Sequence, residues 1–474
     1  MPTVNLPRLM MAAASSGSGK TTVVCTLLEL LRQRNYKAAA FKSGPDYIDP
    51  MFHTRVLDTP SYNLDLFLLG RGGKGRQEAC RLLGRHGRQK KIAVLEGAMG
   101  YYDGIGTGSE ASAYELAAAT ETPVVIVVDG RGSALTLAAV LKGLAVFRKD
   151  SHIAGFIVNR MKPMVYDRYY RVWEKESGLT ALGYLPDMPD CSFSSRHLGL
   201  VTASEIENLQ DILGKLADAG AKSLDWDAIM KLARTAPPLA WDEPEMPAPA
   251  DTVFIDIRHN PADTVRLAVA RDEAFCFYYE DSLDTLRSCG AELIFFSPLH
   301  DGSLPDCDGL YLGGGYPELH AQDLSRNGSM LTSIRQAIRQ GMPCLAECGG
   351  FMYLHDYYRC QNGQLLPWAG VISGETYMTG SLRHFGYVTL EAQQDTLLLS
   401  HGETMTAHEF HYSGSTASDD ACMACKAGSS RQWPSIVARG RLFAGYPHIH
   451  LCGYPDCASR FIDACRHFRK EVQP

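Results

Sequence analysis

The sequence predicts an α/β protein with two doubly wound domains, and three observations along the chain support this fold class. Short apolar runs alternate with helical patterns from Leu9 to about Ala233, a proline-rich stretch interrupts the alternation, and the same alternation then starts again. The composition, with 45% hydrophobic and 21% charged residues in a chain of 474, is typical of globular proteins. It excludes a disordered or fibrous chain.

Five apolar runs in the N-terminal half predict buried parallel strands, because each is short and is followed by an amphipathic helical pattern. These runs are residues 9–14, 37–41, 92–95, 124–128 and 153–158. With the helices between them, they predict a first domain over residues 1–235.

A linker is predicted over residues 236–262, because prolines and acidic residues replace the apolar runs there. Four further strands are predicted after it, over residues 265–270, 292–296, 309–312 and 343–346, with helices near residues 279–289 and 330–339. These elements predict a second α/β domain over residues 263–474.

Several classes of protein are excluded by the absence of their sequence signals. No run of about 18 apolar residues is present, so we expect no membrane span. The first apolar run leads into a glycine-rich loop rather than a cleavage site, which predicts a cytoplasmic protein. The net charge of −7 and the lack of a long basic block argue against a nucleic-acid partner.

The 14 cysteines are scattered, as expected for reduced, mostly buried thiols. Cys422 and Cys425 form a single CxxC motif without a second pair or a histidine at zinc spacing. We therefore interpret them as bystander thiols rather than as a metal site.

A phosphate-binding loop is predicted from Ala14 to Thr22, because a glycine-rich turn followed by Lys-Thr lies between a strand and a helix expected over residues 22–34. The backbone N–H groups of such a turn bind phosphate at the start of the helix. Lys20 would contact the β- and γ-phosphates, and the hydroxyl of Thr21 would bind Mg²⁺. This loop alone is compatible with a kinase, an ATPase, a GTPase switch or a ligase.

Acidic residues follow two of the predicted strands, at the edge of the sheet where ligands bind in open α/β folds. Asp46, near Lys42, and Glu96, at the end of its strand, are therefore candidate metal ligands. For Asp49 and Asp103 a local turn role is favoured, since aspartate is common in turns.

A thiol nucleophile is predicted at Cys348, which follows an apolar strand and precedes Gly349 and a helical pattern, like the serine of a nucleophile elbow. Upstream, Gly314 and Gly315 end another strand, and their backbone N–H groups, with that of Gly349, could form an oxyanion hole. Cys344, within a strand, is expected in the core.

A histidine is needed to protonate the leaving amine, and the C-terminal region offers four candidates. They are His408, His411, His448 and His450. Spacing alone does not choose between them, and a histidine in an apolar stretch is often a core residue.

Nine motifs, in order, resemble those of the cobyrinate a,c-diamide synthases, in which a dethiobiotin synthetase-like domain is fused to a class I glutamine amidotransferase domain. They are SSGSGKTT (15–22), FKSGPDYIDPMFH (41–53), EGAMGYYDG (96–104), VNR (158–160), SRHLGL (195–200), VARDEAFCFYY (269–279), LYLGGGYPELHA (310–321), AECGGFMYL (346–354) and HEFHYS (408–413). The resemblance covers nearly the whole chain.

This resemblance implies a ligase that uses ATP to phosphorylate a carboxylate of a tetrapyrrole and then forms an amide with ammonia taken from glutamine at Cys348. It implies ATP contacts from Ser16, Gly17, Ser18, Gly19, Lys20, Thr21, Thr22, Lys42 and Asn159, the last by its match to an adenine-binding asparagine. It implies Mg²⁺ ligands at Thr21, Asp46 and Glu96. Arg160, Arg196 and His197 stand in matched motifs and are candidates for binding the substrate.

The resemblance also selects His448 over His450 as the general acid and base. His450 stands where other amidotransferases have a glutamate, so a Cys348–His448 dyad is implied. A homodimer is a further possibility, by analogy with the dethiobiotin relatives, which build their substrate site across a dimer.

Two alternatives remain open at this point. The same reaction could act on hydrogenobyrinate or on a nickel sirohydrochlorin, because each presents a rim of carboxylates. From another class, the chain could be a deviant phosphate-loop ATPase or switch module joined to an amidase-like binding domain. Such modules usually carry an extra lysine early in the loop, where this chain has Ser15 and Ser16.

Overall fold

The computed structural model describes residues 3–56, 58, 61–191, 209–241, 264–418 and 420–472. The chain divides into two compact units, Met1–Met246 and Pro247–Pro474. This division falls inside the predicted linker, most of which lies outside the described residues. The exact limits of the two domains stay a prediction.

A seven-stranded, fully parallel sheet forms the centre of the N-terminal unit, in the order β4-β3-β5-β2-β6-β7-β8. The strands of this unit are β1 (Thr3–Val4), β2 (Arg8–Ala13), β3 (Ala38–Ser43), β4 (Ser61–Leu64), β5 (Ile92–Glu96), β6 (Val124–Asp129), β7 (Ile153–Asn159), β8 (Thr180–Tyr184) and β9 (Leu239–Ala240). Its helices are α1 (Lys20–Gln33), α2 (Ile48–Val56), α3 (Gly73–Gly87), α4 (Ala113–Ala119), α5 (Thr136–Phe147), α6 (Pro163–Ser177), α7 (Leu209–Ser223) and α8 (Trp226–Ala233).

The five strands predicted for this unit are present, and each is almost fully buried because helices cover the sheet. Helix α1 begins at Lys20 rather than at the predicted residue 22, since Gly19 in the left-handed conformation directly precedes it. Parallel strands end at a common edge, so the loops after β2, β3 and β5 lie side by side.

A six-stranded sheet forms the centre of the C-terminal unit, in the order β12-β10-β13-β15-β23-β22, with only β22 antiparallel to its neighbour. The strands that contribute to it are β10 (Val265–Ala270), β12 (Ala291–Phe296), β13 (Gly309–Leu312), β15 (Cys344–Glu347), β22 (Val437–Arg439) and β23 (Leu442–Gly445). A short antiparallel pair lies outside this sheet, β11 (Phe275–Phe277) with β14 (Gly314–Gly315). The helices are α9 (Glu280–Ser288), α10 (Ala321–Arg326), α11 (Gly328–Arg339), α12 (Gly349–Tyr353) and α13 (Pro455–Val472).

A second, mixed sheet in this unit was not predicted from the sequence. Its strands are β16 (His355–Arg359), β17 (Leu365–Pro367), β18 (Ile372–Ala392), β19 (Thr404–Ser415), β20 (Cys422–Lys426), β21 (Gln432–Ser435) and β24 (His448–Ile449). Strand β24 pairs with β19, and it lies in the sequence directly after β23 of the first sheet. The short segment between β23 and β24 therefore joins the two sheets.

Successive residues of the central strands pack into two different cores, one on each face of the first sheet. Leu345 and Tyr311 belong to one core, whereas Ala346, Leu312 and Cys348 belong to the other. In the part of the chain that the structure describes, no helix is long and apolar enough to cross a membrane.

Candidate functional site

The predicted phosphate loop lies between β2 and α1 and is largely exposed at Ser16 and Gly17. Gly17 has a φ of 80° and Gly19 a φ of 87°, in the left-handed region that favours glycine. A Cβ on Gly19 would also lie 2.0 Å from Nδ2 of Asn159. The geometry of the loop therefore depends on glycine at residue 19 for two separate reasons.

The first residues of α1 contact the loop that follows β5. Lys20 Nζ donates a hydrogen bond to the carbonyl oxygen of Met99 at 2.6 Å. Thr21 Oγ1 donates to Glu96 Oε1 at 2.7 Å. The structure thus brings together three residues that the sequence assigned to nucleotide and metal binding, Lys20, Thr21 and Glu96.

A second lysine lies within the same cluster. Lys42 Nζ is 2.5 Å from Asp49 Oδ2, 3.3 Å from Glu96 Oε1 and 3.8 Å from Asp46 Oδ2. Glu96 is fully buried, and its Oε2 lies 3.4 Å from Nε2 of the fully buried His53. Two lysines and three carboxylates therefore share the carboxyl end of β3 and β5.

The charged groups of this cluster shift one another's pKa values. Burial raises the pKa of Glu96, but Lys42, His53 and Thr21 together hold it below its usual range. Burial lowers the pKa of Lys42, and Asp49, Glu96 and Asp46 more than reverse that effect. Burial and the charge of Lys42 lower the pKa of Lys20.

The acidic residues near the loop differ in their local roles. Asp103 Oδ2 accepts the N–H of Gly100 at 3.0 Å, which is the turn role expected from the sequence. Asp46 Oδ1 accepts the N–H of Ile48 at 2.9 Å at the start of α2, and its other oxygen faces Lys42. Asp49 also contacts Lys42, so its role extends beyond the turn that the sequence favoured.

Asn159 and Arg160, at the end of β7, both hold the phosphate loop. Asn159 Nδ2 donates to the carbonyl oxygen of Ser18 at 3.1 Å. Arg160 Nη1 donates to the carbonyl oxygen of Gly17 at 3.0 Å and to Asp129 Oδ2 at 2.8 Å. The sequence proposed an adenine contact for Asn159 and a substrate contact for Arg160. In the structure both side chains contact the loop backbone, and Arg160 also pairs with Asp129.

The turn after β15 has the geometry of a nucleophile elbow. Cys348 has a φ of 46° and a ψ of −101° and lies directly between β15 and α12. Its N–H donates to the carbonyl oxygen of Gly445 at 2.8 Å, and the residue is 8% exposed. A non-glycine residue at positive φ is strained, and such strain occurs often at functional sites.

Glycines surround this elbow on the side of the loop after β13. The amide nitrogen of Gly315 lies 3.2 Å from the position that a Cβ on Gly349 would take, so these two predicted oxyanion donors are close together. A Cβ on Gly314 would lie 2.5 Å from Cε1 of His448. The N–H of Gly313 is already bonded to the hydroxyl of Tyr278 at 2.8 Å.

His448 is the predicted histidine that contacts Cys348. It is 3% exposed, and its Nδ1 lies 3.6 Å from Glu347 Oε2. Burial lowers the pKa of His448, but its contacts with Cys348 and Glu347 raise it to about 10. Strands β15 and β23 pair in parallel and place Glu347 opposite Gly445, three residues before His448, so a carboxylate lies beside the predicted Cys348–His448 dyad.

The other three candidate histidines have different surroundings. His408 pairs across strands with His448, and burial and the charge of His448 lower its pKa to about 3. His411 Nε2 lies 3.3 Å from Glu409 Oε2, and its ring stacks on Tyr446. His450 is fully buried and stacks on Tyr279, and burial lowers its pKa to about 4.

The remaining sequence predictions have simple structural outcomes. Cys344 is fully buried in the core, and burial raises the pKa of its thiol. Cys422 and Cys425 lie three residues apart on β20, so their side chains leave opposite faces of the strand. Arg196 and His197 lie outside the described residues.

Models of two protein families match the chain, one in each unit. The CobQ/CobB/MinD/ParA nucleotide binding domain matches residues 9–200. The CobB/CobQ-like glutamine amidotransferase domain matches residues 266–455. These matches confirm the predicted fold class for both units.

Proteins named cobyrinate a,c-diamide synthase are similar to the chain over nearly all of its length. The protein of Caldanaerobacter subterraneus subsp. tengcongensis is 37% identical over 469 residues, which are 98% of this chain and 99% of the relative. That of Salmonella typhimurium is 37% identical, over 96% of this chain and 98% of its own length. That of Leptospira interrogans serovar copenhageni is 34% identical, over 98% of this chain and 99% of its own length. The chain belongs to the cobyrinate a,c-diamide synthase family.

Membership in the cobyrinate a,c-diamide synthase family assigns a nucleotide-binding domain to the N-terminal unit and a glutamine amidotransferase domain to the C-terminal unit. Two residues of these sites were missed by the sequence reasoning, His53 and Glu347. Both lie inside motifs that carried the resemblance, FKSGPDYIDPMFH and AECGGFMYL. Their contacts with Glu96 and His448 link residues distant in sequence, so spacing gave no direct signal.

Proposed function

We propose that the protein amidates the a and c side-chain carboxylates of cobyrinate, in cobalamin biosynthesis, with ATP as the activating nucleotide and glutamine as the nitrogen donor. The observation that carries this proposal is the near full-length similarity to proteins named cobyrinate a,c-diamide synthase. The two sites described above supply the side chains that the two halves of such a reaction need.

The first half activates a carboxylate. A carboxylate oxygen of the substrate attacks the γ-phosphorus of ATP, the bond to the β-phosphate oxygen breaks, and an acyl phosphate and ADP result. Phosphoryl transfer relies on positioning and charge stabilisation rather than on covalent catalysis by the protein. The left-handed glycines of the loop and the ammonium group of Lys20 would bind the phosphates, and Lys42 would offset their charge.

Magnesium is the cation that the donor set around Glu96 fits. Thr21 Oγ1 and Glu96 Oε1 are oxygen donors only 2.7 Å apart, and Asp46 shares with Glu96 a contact to Lys42, at 3.8 and 3.3 Å. Mg²⁺ prefers oxygen ligands and usually binds through one or two carboxylates together with the substrate phosphates. When bound, the ion would neutralise the charge that develops on the phosphate oxygens.

The second half releases ammonia from glutamine. The thiolate of Cys348 attacks the side-chain amide carbon, and His448 gives its proton to the nitrogen as the carbon–nitrogen bond breaks. Backbone N–H groups of Gly315 and Gly349 would stabilise the tetrahedral oxyanion. Water hydrolyses the resulting thioester to glutamate, and the ammonia displaces phosphate from the acyl phosphate to give the amide.

The test is a direct assay for amide formation. The purified protein is incubated with ATP, Mg²⁺ and glutamine labelled with ¹⁵N in its side-chain amide, in parallel with cobyrinate, hydrogenobyrinate and nickel sirohydrochlorin. We expect cobyrinate to gain two labelled amides, detected by mass spectrometry. If only hydrogenobyrinate or only nickel sirohydrochlorin were labelled, that tetrapyrrole would be the substrate instead of cobyrinate, and the proposed amidation would still hold.

The switch-module alternative predicts a different result. It predicts nucleotide hydrolysis without labelling of any of the three tetrapyrroles, and that outcome would contradict the amidation reaction itself. Solution scattering of the same preparation measures its mass and tests whether the protein is a homodimer.

A further inference from the structure

We propose that Glu347 is the positioning residue that completes the glutaminase site by orienting His448 and holding its imidazolium form. The proposal rests on the proposed function and deepens it. It supplies a carboxylate partner for His448 from a residue that precedes the nucleophile in the sequence, instead of from a position after the histidine.

Glu347 is a buried carboxylate that contacts three groups around it. Its side chain is 3% exposed, and Oε1 accepts the backbone N–H of Ile449 at 3.3 Å. The hydroxyl of Tyr311 is a further partner. Oε2 then faces Nδ1 of His448 at 3.6 Å. A buried charge of this kind is costly unless it is paired, and His448 is the cationic partner in place.

The alternation of the strand explains how two adjacent residues reach one histidine. Glu347 follows Leu345 and Tyr311 on one face of the first sheet, whereas Cys348 packs in the core of the opposite face. His448 lies beyond the end of β23, where it contacts both the carboxylate of Glu347 and the thiol of Cys348. Gly314 leaves the space that the ring occupies.

The groups that face His448 come from several elements. Cys348 and Glu347 come from the end of β15, and His408 comes from β19. Burial and the charge of His448 lower the pKa of His408 to about 3, so His408 stays neutral and adds no second charge. Tyr311 and Tyr278 lie near the carboxylate itself.

In the reaction, Glu347 keeps its negative charge and forms no covalent bond. The imidazolium of His448 gives its proton to the leaving ammonia, and the carboxylate stabilises that imidazolium until the transfer occurs. A carboxylate in this position also fixes the orientation of the ring, as in other triads. Without it, the imidazolium would lose its proton at a lower pH.

The test compares Glu347→Gln with the wild-type full chain. The glutamine keeps the shape of the side chain and an oxygen that can accept the N–H of Ile449, but it removes the charge. We expect kcat/KM for glutaminase to fall about 10²- to 10⁴-fold. We also expect the alkaline limb of its pH profile to move down by about one pH unit or more. Without the charge of Glu347, the imidazolium of His448 loses its proton at a lower pH.

Two controls separate positioning from structure. Glu471→Gln removes an exposed carboxylate that pairs with Arg441 and should leave the glutaminase profile unchanged. Glu347→Asp retains the charge and should restore part of the rate and the wild-type alkaline limb. Wild-type rates in Glu347→Gln, or a loss that is equal at every pH, would overturn the proposal. So would an aspartate variant whose profile matches that of the glutamine variant.

A second readout is independent of the tetrapyrrole reaction. Alkylation of Cys348 by iodoacetamide, followed by mass spectrometry of its peptide, should reach its half-maximal rate at a higher pH in Glu347→Gln, because a less stable imidazolium favours the thiolate less. An unmoved alkylation profile would contradict the role of Glu347. If no tetrapyrrole is amidated by the wild type, the proposed function fails while this readout still tests Glu347.

Discussion

The two units both place their chemistry where a buried parallel strand turns into a helix, yet they use the left-handed backbone region in opposite ways. In the phosphate loop between β2 and α1, the residues at positive φ are Gly17 and Gly19, which carry no side chain. In the turn between β15 and α12, the residue at positive φ is Cys348. A turn that binds an anion through its backbone needs glycine, whereas a turn that presents a nucleophile must accept a strained side chain.

The electrostatic surroundings of the two turns differ as well. The N-terminal site combines two lysines with three carboxylates, so several charges are already balanced before a polyphosphate arrives. The C-terminal site is a small cluster of Cys348, His448 and Glu347 set between two apolar cores. The difference suggests that substitutions in the two sites should separate the two half-reactions.

The largest separation is expected from Cys348→Ala. Removal of the nucleophile should reduce glutamine-dependent amidation by about 10⁴-fold or more, as for nucleophiles of other hydrolases. Amidation with added ammonium chloride should remain close to wild type, because the N-terminal site is unchanged. Both rates are measured by mass spectrometry of the tetrapyrrole, and an equal loss of both would contradict the division of labour.

The complementary change is Lys20→Ala. Loss of one positive group at the phosphates should lower amidation about 10²- to 10³-fold with either nitrogen source. Some glutaminase activity should remain, since Cys348 and His448 are untouched. Glutamate release and amide formation are measured in the same sample. Undiminished ATP-dependent synthesis would argue against the phosphate loop as the nucleotide site.

The smallest effects are on stability, and in both turns we expect glycine to be more stable than alanine. Gly19→Ala should cost about 2 kcal/mol, because alanine disfavours its φ of 87° and the new Cβ would contact Asn159. Gly17→Ala, with φ 80° and no atom within 4 Å of its Cβ, is the matched control and should cost about 1 kcal/mol. Cys348→Gly should be about 1 kcal/mol more stable than Cys348→Ala.

These differences are measured by hydrogen exchange of peptides around each turn in the full chain, because two units need not unfold together. The comparison between the turns would fail if the alanine at residue 19 were as stable as glycine. It would also fail if the Cys348→Gly variant were less protected from hydrogen exchange than the Cys348→Ala variant.

Much of the fold could be predicted because buried parallel strands leave a strong sequence signal. The predicted strands 265–270 and 309–312 coincide with β10 and β13, since each is a short apolar run between polar turns. The second sheet of the C-terminal unit was missed for the opposite reason. Strand β18 has 21 residues, many of them partly exposed, and it contains glycines and charged residues that resemble a loop in the sequence.

The candidate sites could be predicted where one motif holds all of the required residues. The phosphate loop and the elbow at Cys348 are of this kind, because a local turn determines both geometries. Glu347 could not be assigned this way, since the parallel register of β15 and β23, rather than spacing along the chain, places it beside His448. His53 meets Glu96 across two loops and gave no local signal for the same reason.

The residue at position 314 indicates whether a related chain can keep a working glutaminase site. Because a Cβ there would fall 2.5 Å from the ring of His448, any larger residue would push the imidazole away from the sulfur. A relative that carried alanine or serine at this place and kept its phosphate loop should therefore depend on free ammonium for amidation. The missing side chain of one glycine thus decides which nitrogen source such an enzyme can use.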